Sequence, residues 1–305
     1  MRLDDYRESD NVGDQRGQNF GGGLGGGGGG GAIGMLFGLI ASRFGIGGIV
    51  VLVIGMMLFG MNPLSLLGGG GGSGVVSPQQ QTQVGHDVAA RACAVDAAST
   101  FSCRVLASTE DTWGRIFQQQ GQRYTPPGLI FYGGRGQSGC GAAQSAMGPF
   151  YCPTDQRIYL DTSFFDELQN RFKAAGDFAQ AYVIAHEVGH HVQYLTGIAD
   201  KVRKQQQAGS EAQANALQVR MELQADCYAG VWAAANRDRL DPGDVEEGLR
   251  AANAIGDDTL QRSAGQTPVP DSFTHGTSAE RVAWLKRGID SGDPAQCDTF
   301  SGAIG

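Results

Sequence analysis

The pattern of apolar and polar positions divides the chain into a polar start, an apolar stretch and a long mixed region. The mixed region runs from about His86 to the end of the chain. Its apolar positions mostly recur at helical spacing, and a few short apolar runs near its start are typical of strands. We therefore expect an α+β domain that is rich in helices and has a small β-sheet early in the domain.

Start and stop signals place the predicted elements within this domain, and Ser108 is the predicted N-cap of its second helix. Predicted helices cover Val88–Leu106, Ser108–Gln120, the residues from Asp161 or Thr162 to Phe172, most of Gly176–Ile255, and Ser278–Gly288. Predicted strands lie within Tyr124–Tyr132 and Phe150–Leu160, on either side of a predicted glycine-rich loop at Gly133–Gly148.

The chain before residue 86 has a different character. Residues 1–31 are predicted to be a disordered, Gly-rich cytoplasmic tail, because a run such as residues 21–31, with ten glycines and one leucine, buries too little side chain to offset the entropy of ordering it. Residues 32–62 are predicted to be one transmembrane anchor, since Phe44–Met61 is a stretch of 18 residues without a charge. Residues 63–85 form a Gly/Gln-rich linker to the domain at 86–305.

Two other interpretations of the apolar stretch are less favoured. A signal peptide would begin near the N-terminus, whereas about 30 polar and glycine residues precede this stretch. A buried core helix would not normally lie between two glycine-rich tracts. Arg43 flanks the stretch, and no Lys or Arg follows until Arg91, so the positive-inside rule predicts a cytoplasmic N-terminus and an extracytoplasmic domain in the cell membrane.

The charge and the cysteines narrow the function classes. A net charge of −8 argues against a nucleic-acid partner, because phosphate binding needs a basic surface. The six cysteines permit a full set of disulfides outside the cytoplasm, with free buried thiols as the alternative. Short separations favour Cys93–Cys103 and Cys140–Cys152, which leaves Cys227 with Cys297. No CxxC pair is present, so a cysteine-based zinc site is not expected.

A helical segment that begins at Asp177 carries the clearest chemistry, DFAQAYVIAHEVGHHVQ. His186 and His190 are four residues apart, so they project from one face of the helix and can bind one metal ion. Glu187 is offset by one position and reaches the solvent ligand of that ion. This arrangement is what zinc-assisted hydrolysis needs. His191 points away from His190 and is predicted to be a surface or packing residue.

A catalytic zinc site needs a third protein ligand, and a second helical segment offers two carboxylates four residues apart. We favour Glu222 as the metal ligand and Asp226 as the hydrogen-bond acceptor for the distal nitrogen of a ligating histidine. The alternative is a solvated acidic face. However, Ala225, Cys227 and Val231 indicate a largely buried helix, where a carboxylate needs a partner.

Together with the stretches around them, these residues resemble the bacterial putative neutral zinc metallopeptidases. The likeness covers the charged N-terminus, the glycine-rich apolar anchor and almost the whole domain from Trp113 onward. It is carried by HEVGHHVQ and ELQADCYAG, and by SGCGAAQSAMGPFYCPTDQRIYLDTSFFDEL and SFTHGTSAERVAWLKRGI. The resemblance implies a zincin-like fold of the glutamate-ligand class, with zinc on His186, His190 and Glu222 and catalysis by Glu187.

Other residues are candidates for supporting roles. By resemblance, the strand Arg157–Asp161 would pair with the substrate backbone, although it also fits an ordinary core strand. His275 is a candidate donor to the oxyanion of the tetrahedral intermediate, and its alternative role is to cap the helix Ser278–Gly288. Tyr228 is a second candidate for the same donor role.

The sequence thus predicts a membrane-anchored zinc endopeptidase with one Zn²⁺ per chain, acting on peptide or protein substrates and contacting the bilayer through one helix. Two alternatives remain. One is a non-catalytic extracytoplasmic module that zinc stabilises, and the other is a zinc hydrolase of a non-peptide amide or ester. Glu187 argues against the first alternative, because a scaffold needs no base. The sequence carries no signal for an oligomeric state.

Overall fold

The computed structural model describes residues 1–18 and 83–304. The predicted anchor at 32–62 and most of the predicted linker at 63–85 lie outside the described residues. Within the described ranges, no helix combines the length and apolar character needed to cross a bilayer.

The domain is rich in helices and has a small sheet near its start, so the predicted α+β class is confirmed. Its helices are α1 (His86–Cys93), α2 (Ala97–Gln119), α3 (Ser163–Asn170), α4 (Asp177–Leu195), α5 (Ile198–Ala208), α6 (Glu211–Ala235), α7 (Asp244–Ala254), α8 (Asp257–Ser263) and α9 (Ser278–Ser291). Its strands are β1 (Val12–Asp14), β2 (Gly128–Phe131), β3 (Arg135–Ser138), β4 (Gly141–Gln144), β5 (Phe150–Cys152) and β6 (Arg157–Leu160).

The main sheet has the order β1-β2-β6-β5. Strands β1, β2 and β6 are parallel, and β5 is antiparallel to β6. The side chains of β2 and β6 are mostly buried, as expected for interior strands covered on both faces. Strands β3 and β4 form a separate antiparallel hairpin within 133–148, a segment that was predicted to be a loop.

The described N-terminal residues differ from the predicted disordered tail. Strand β1 pairs with β2 in the register Val12↔Leu129, and the side chains of Leu3 and Val12 are 1% and 0% exposed. The prediction for residues 1–31 is therefore corrected for residues 1–18. The physical reason is that three or four isolated apolar side chains in a polar stretch give no periodic signal. In the structure, each of these side chains packs against the hydrophobic core of the domain.

The first two helices also differ from their predicted bounds. The helical structure is interrupted at residues 94–96. Helix α2 begins after Asp96, whose side chain accepts a hydrogen bond of 2.7 Å from the backbone N–H of Ser99. The predicted N-cap, Ser108, lies inside α2, where its hydroxyl donates to the carbonyl of Val105 and accepts from the indole N–H of Trp232. Its buried hydroxyl has a tertiary partner, which the local sequence does not reveal.

Three disulfides join the predicted pairs. Cys93–Cys103 and Cys140–Cys152 close short loops, and Cys227–Cys297 joins residues 70 positions apart. The first ties α1 to α2, and the second ties the tip of the β3–β4 hairpin to β5. The third fixes the C-terminal residues against α6. The disulfide prediction is therefore confirmed.

Helices α4, α6 and α9 form the centre of the core, and α6 and α9 approach so closely that their contact needs glycine. A Cβ atom on Gly288 would overlap the backbone carbonyl of Cys227, and one on Gly230 would overlap the carbonyl of Leu285. Because both obstacles are backbone atoms, a side-chain rearrangement cannot make room. These two glycines therefore fix the register in which α6 packs against α9.

We expect Gly288→Ala to lower the free energy of unfolding by at least about 2 kcal/mol, since the added methyl group forces the two helices apart. Gly114→Ala in α2 is the matched control, because a Cβ there meets no atom within 4 Å. This control should raise stability by about 0.5–1 kcal/mol through its effect on backbone entropy. Urea unfolding of the full-length chain, followed by the fluorescence of its three tryptophans, measures both changes. Equal stability of Gly288→Ala and the parent would contradict the close contact.

Candidate metal centre

Helix α4 carries the two histidines of the predicted metal site. It begins after Gly176, which has a φ of 128°, and Asp177 in its first turn favours a helix N-terminus. His186 and His190 lie one turn apart on its inner face, with ring centroids 4.8 Å apart. The spacing of four residues therefore places both imidazoles side by side, as predicted.

Helix α6 brings a carboxylate against both imidazoles. The oxygen atoms of Glu222 lie 3.1 Å from Nε2 of His186 and 3.6 Å from Nε2 of His190. One ligand atom from each of the three residues lies within 4.8 Å of the others, a spacing that a single metal ion can bridge. The predicted set of His186, His190 and Glu222 is thus brought together by two packed helices.

The distal nitrogen of each histidine has a hydrogen-bond acceptor, which leaves Nε2 directed at the centre. Nδ1 of His186 donates to Asp226 over 2.8 Å, and Nδ1 of His190 donates to the side-chain oxygen of Gln193 over 2.9 Å. The amide nitrogen of Gln193 donates in turn to the backbone carbonyl of Met221, which fixes the orientation of that amide. Because Nδ1 is the donor in these hydrogen bonds, Nε2 is the nitrogen that a metal ion can bind in place of any proton it carries. The donor set therefore fits a zinc ion.

Asp226 takes the position predicted for it and joins a larger buried network. Its carboxylate is fully buried and accepts from the hydroxyl of Tyr182 over 2.6 Å. It also accepts from Nε and Nη2 of Arg281 over 2.8 and 2.9 Å. Burial acts to raise the pKa of Asp226, but the charges of Arg281 and His186 and the hydrogen bonds from both side chains together outweigh it and lower that pKa to about 2. Asp226 therefore remains ionised beside His186.

The electrostatics of the centre favour positive charge. Burial acts to lower the pKa of His190, but the carboxylate of Glu222 raises it to about 9. The pKa of His186 is also raised, against burial, by Asp226 and Glu222. The two imidazoles hold the pKa of Glu222 well below its usual range although burial acts to raise it. A buried pair of carboxylates around two imidazoles is thus an environment that stabilises a bound cation.

Glu187 lies next to the ligands, but its environment is different. Its side chain is buried, and burial raises its pKa, while the charges of His190 and His186 lower it. A hydrogen bond from the backbone of Tyr151, in β5, also reaches this carboxylate. Glu187 therefore lies between the two histidines and strand β5.

The strand predicted to meet the substrate is not available for that role. Strand β6, within Arg157–Asp161, pairs with β2 on one side and β5 on the other, so it has no free edge. Of the two interpretations of this segment, the structure fits the ordinary core strand, and sequence alone cannot give the strand order. In the described part of the sheet, β1 and β5 are the two edge strands, and β5 (Phe150–Cys152) is the one beside α4.

His191 connects this edge strand to helix α4. Its Nε2 donates to the carbonyl of Thr125 over 2.7 Å, so its Nδ1 accepts from the hydroxyl of Tyr151 over 2.9 Å. Burial lowers the pKa of His191 to about 4, which keeps the ring neutral and preserves both bonds. His191 is a packing residue, one of the two roles predicted, and it holds β5 against α4.

His275 lies close enough to Glu222 that the charge of each shifts the pKa of the other. Its ring is partly exposed, and Nδ1 lies 3.2 Å from Oδ1 of Asp257. The other oxygen of Asp257 accepts from the backbone N–H groups of Thr274, His275 and Gly276. The predicted capping role falls instead to Thr277, the N-cap of α9.

Tyr228, the second candidate donor, lies elsewhere. Its ring packs edge-on against Trp113, with centroids 5.3 Å apart. Burial raises its pKa to about 12, and the charge that adds to this shift comes from Asp298, which is outside the metal centre. The structure places Tyr228 in the core and does not bring it to the metal centre.

Sequence reasoning missed several residues that support the ligands, namely Tyr182, Gln193, Arg281 and Asp257. The sequence contains a signal for three of them. Tyr182 precedes His186 by four positions and Gln193 follows His190 by three, so each shares a helix face with a histidine. Arg281 interrupts the apolar face of α9. For Asp257 the local sequence gives no such signal, since its role depends on which elements pack together.

Comparison with known proteins shows the family to which the chain belongs. A family model described as putative neutral zinc metallopeptidase matches residues 1–300. The uncharacterized protein YpfJ of Escherichia coli (strain K12) is 47% identical over 308 residues, which cover 100% of each chain. The uncharacterized protein Rv2575 of Mycobacterium tuberculosis (strain ATCC 25618 / H37Rv) is 37% identical over 265 residues, or 81% of this chain and 85% of that one. No solved structure gives a significant match.

We expect Asp226→Asn to lower the free energy of unfolding by about 3–5 kcal/mol, because it leaves the buried guanidinium of Arg281 without its counterion. The same change should weaken zinc binding by about 10- to 100-fold through His186. Asp290→Asn, which breaks an exposed pair with Lys286, is the matched control and should change neither quantity appreciably. Denaturant unfolding and competition with a zinc chelator measure the two effects. Parent-like values for Asp226→Asn would exclude the proposed network.

Proposed function

Because the chain belongs to the putative neutral zinc metallopeptidase family, we propose that it is a zinc-dependent endopeptidase. His186, His190 and Glu222 would hold one Zn²⁺ per chain, and Glu187 would be the general base. The observation that carries this proposal is the convergence of three ligand atoms within 4.8 Å, with the distal nitrogens of both histidines already bonded.

When bound, zinc supplies the Lewis acidity that lowers the pKa of an attacking water and polarises a carbonyl group. Glu187 takes the proton from that water and passes it to the amine that leaves. Burial, which raises the pKa of Glu187, suits a group that must accept a proton and then release it near neutral pH. Asp226 and Gln193 keep the two imidazoles oriented throughout.

The edge strand β5 provides a way to bind an extended peptide. Its outer edge is unpaired within the described residues, and the backbone of Tyr151 reaches Glu187. A substrate segment that adds to this edge as a further strand would form main-chain hydrogen bonds without regard to its side chains. Its scissile bond would then lie next to the proposed base. This geometry favours a peptide over a small amide or ester as the substrate.

His275 is suited to stabilise the oxyanion that forms when a carbonyl group is attacked. Asp257 accepts hydrogen bonds from the backbone N–H and from Nδ1 of His275, so Nε2 can donate only when the ring is protonated. Burial acts to lower the pKa of His275, but Asp257 and Glu222 raise it, which favours the protonated ring. The ring lies near Glu222 and is 31% exposed on its side chain, so a substrate can reach it. We therefore assign His275 the role of donor and Asp257 the role of positioning it.

The three disulfides support an extracytoplasmic position for the domain, since such bonds persist in oxidising compartments. We propose that the domain acts there, on peptide or protein substrates, and that residues 32–62 contact the cell membrane. Membrane contact rests on the uncharged stretch of 18 residues at Phe44–Met61.

We expect Glu187→Gln to keep its zinc and to lose hydrolysis by about 10²–10⁴-fold, since the amide cannot accept the proton of the attacking water. His186→Ala should lose both zinc and activity. The measurements are zinc content by elemental analysis and cleavage of a denatured protein by the full-length chain. A Glu187→Gln chain as active as the parent would exclude this base. Zinc-loaded parent chain that cleaves no peptide would support the non-catalytic alternative instead.

We expect His275→Ala to lower kcat by about 10²-fold, as the loss of one oxyanion donor does, while KM and zinc content stay near the parent values. His86→Ala is the matched control, because His86 is an exposed histidine far along the sequence whose partner is Asp10. Steady-state cleavage of a fluorogenic peptide separates kcat from KM. A loss of zinc in His275→Ala, or an unchanged kcat, would contradict the donor role.

A further inference from the structure

The N-terminal segment, residues 1–18, is an integral part of the domain formed by residues 83–304. We propose that these two parts of the chain lie on the same side of the membrane. This replaces the single crossing with a cytoplasmic N-terminus that the positive charges predict.

Backbone pairing is the first observation behind this proposal. All three residues of β1 pair with β2, and the N–H of Gln15 donates to the carbonyl of Phe131 over 2.7 Å. The N–H of Leu129 donates to the carbonyl of Asn11 over 2.8 Å. Strand β1 thus covers one edge of β2, and without it the buried N–H and C=O groups of that edge would lack these partners.

Glu110, a buried carboxylate in α2, is the second and independent observation. Its side chain is 7% exposed, and all of its side-chain hydrogen bonds in the described part of the chain come from the N-terminal segment. Ser9 and Asn11 donate to one oxygen, and Arg7 donates to the other over 3.0 Å. A carboxylate buried without such donors is strongly unfavourable. The domain therefore has a polar site built for residues 7–11.

Arg16 supplies a third contact, at the end of the segment. Its guanidinium donates to the hydroxyl of Ser99 and to the carbonyl of Ala92, each over 2.8 Å. It also lies over the ring of Phe131, 4.7 Å from the centroid. These partners come from α1, α2 and β2, so one side chain joins the segment to three elements of the domain.

A bilayer cannot lie between these partners. Hydrogen bonds of 2.7–3.0 Å join residues 7–16 to residues 92–131, whereas the hydrocarbon core of a membrane is about 30 Å thick. A chain that crossed once between residues 18 and 83 would separate β1 from β2. The contacts and a single crossing are therefore mutually exclusive, and the contacts are the better supported of the two.

The test uses thiol labelling of the full-length chain in its membrane. All six native cysteines are in disulfides, so one introduced cysteine is the only free thiol. Asp10→Cys reports on the N-terminal segment and His86→Cys on the domain, and both native side chains are more than half exposed. Cells with a permeabilised outer membrane are treated with a membrane-impermeant maleimide before or after lysis.

We expect the two positions to react alike, both before lysis if the domain is outside and both only after lysis if it is inside. Either result supports the proposal. Labelling of one position before lysis and of the other only after lysis would overturn it. Glu8→Cys and Val95→Cys, at two further exposed positions, repeat the comparison in case a substitution at Asp10 or His86 disturbs the contact between them.

Discussion

The carboxylate of Asp226 is the interaction on which the arrangement of the metal centre depends. It receives hydrogen bonds from α4, through His186 and Tyr182, and from α9, through Arg281, while it is itself part of α6. All of these groups are buried. A buried charge is tolerated only when it is paired and hydrogen-bonded, so the three helices must meet in one register for any of them to be stable.

Close helix packing is what makes this register possible. Gly189, between His186 and His190 in the sequence, faces Ala225, and a Cβ on Gly189 would come within 3.0 Å of the backbone of Ala225. A larger residue would move α4 away from α6 and lengthen the bonds to both Asp226 and Glu222. On the other face of α6, Gly230 and Gly288 allow α9 to approach, which carries Arg281 to Asp226. Small residues thus set the distances at which the polar groups meet.

The parts of this molecule that sequence reasoning predicts are those that depend on local spacing. His186 and His190 follow from the helical period, and Glu222 and Asp226 follow from the same period on a second apolar helix. The short separations of the first two cysteine pairs give the disulfides for the same reason. Strand order is different, because it depends on which segments meet. The sequence therefore left Arg157–Asp161 open between substrate pairing and a core strand, and it did not point to β5 as an edge. Asp257 could not be predicted, since its partner His275 is brought to it by packing.

Pairing between β1 and β2 has a consequence for the order of assembly. Val12 and Leu129 are direct partners although they are 117 positions apart in the sequence. Closing so long a loop has a substantial entropic penalty, and parallel pairing over such a distance forms slowly. During synthesis, β1 has no partner until residue 131 of 305 has been added. Strand β1 therefore leaves the ribosome well before its partner β2, and the polar character of residues 1–18 keeps it soluble until the two strands pair.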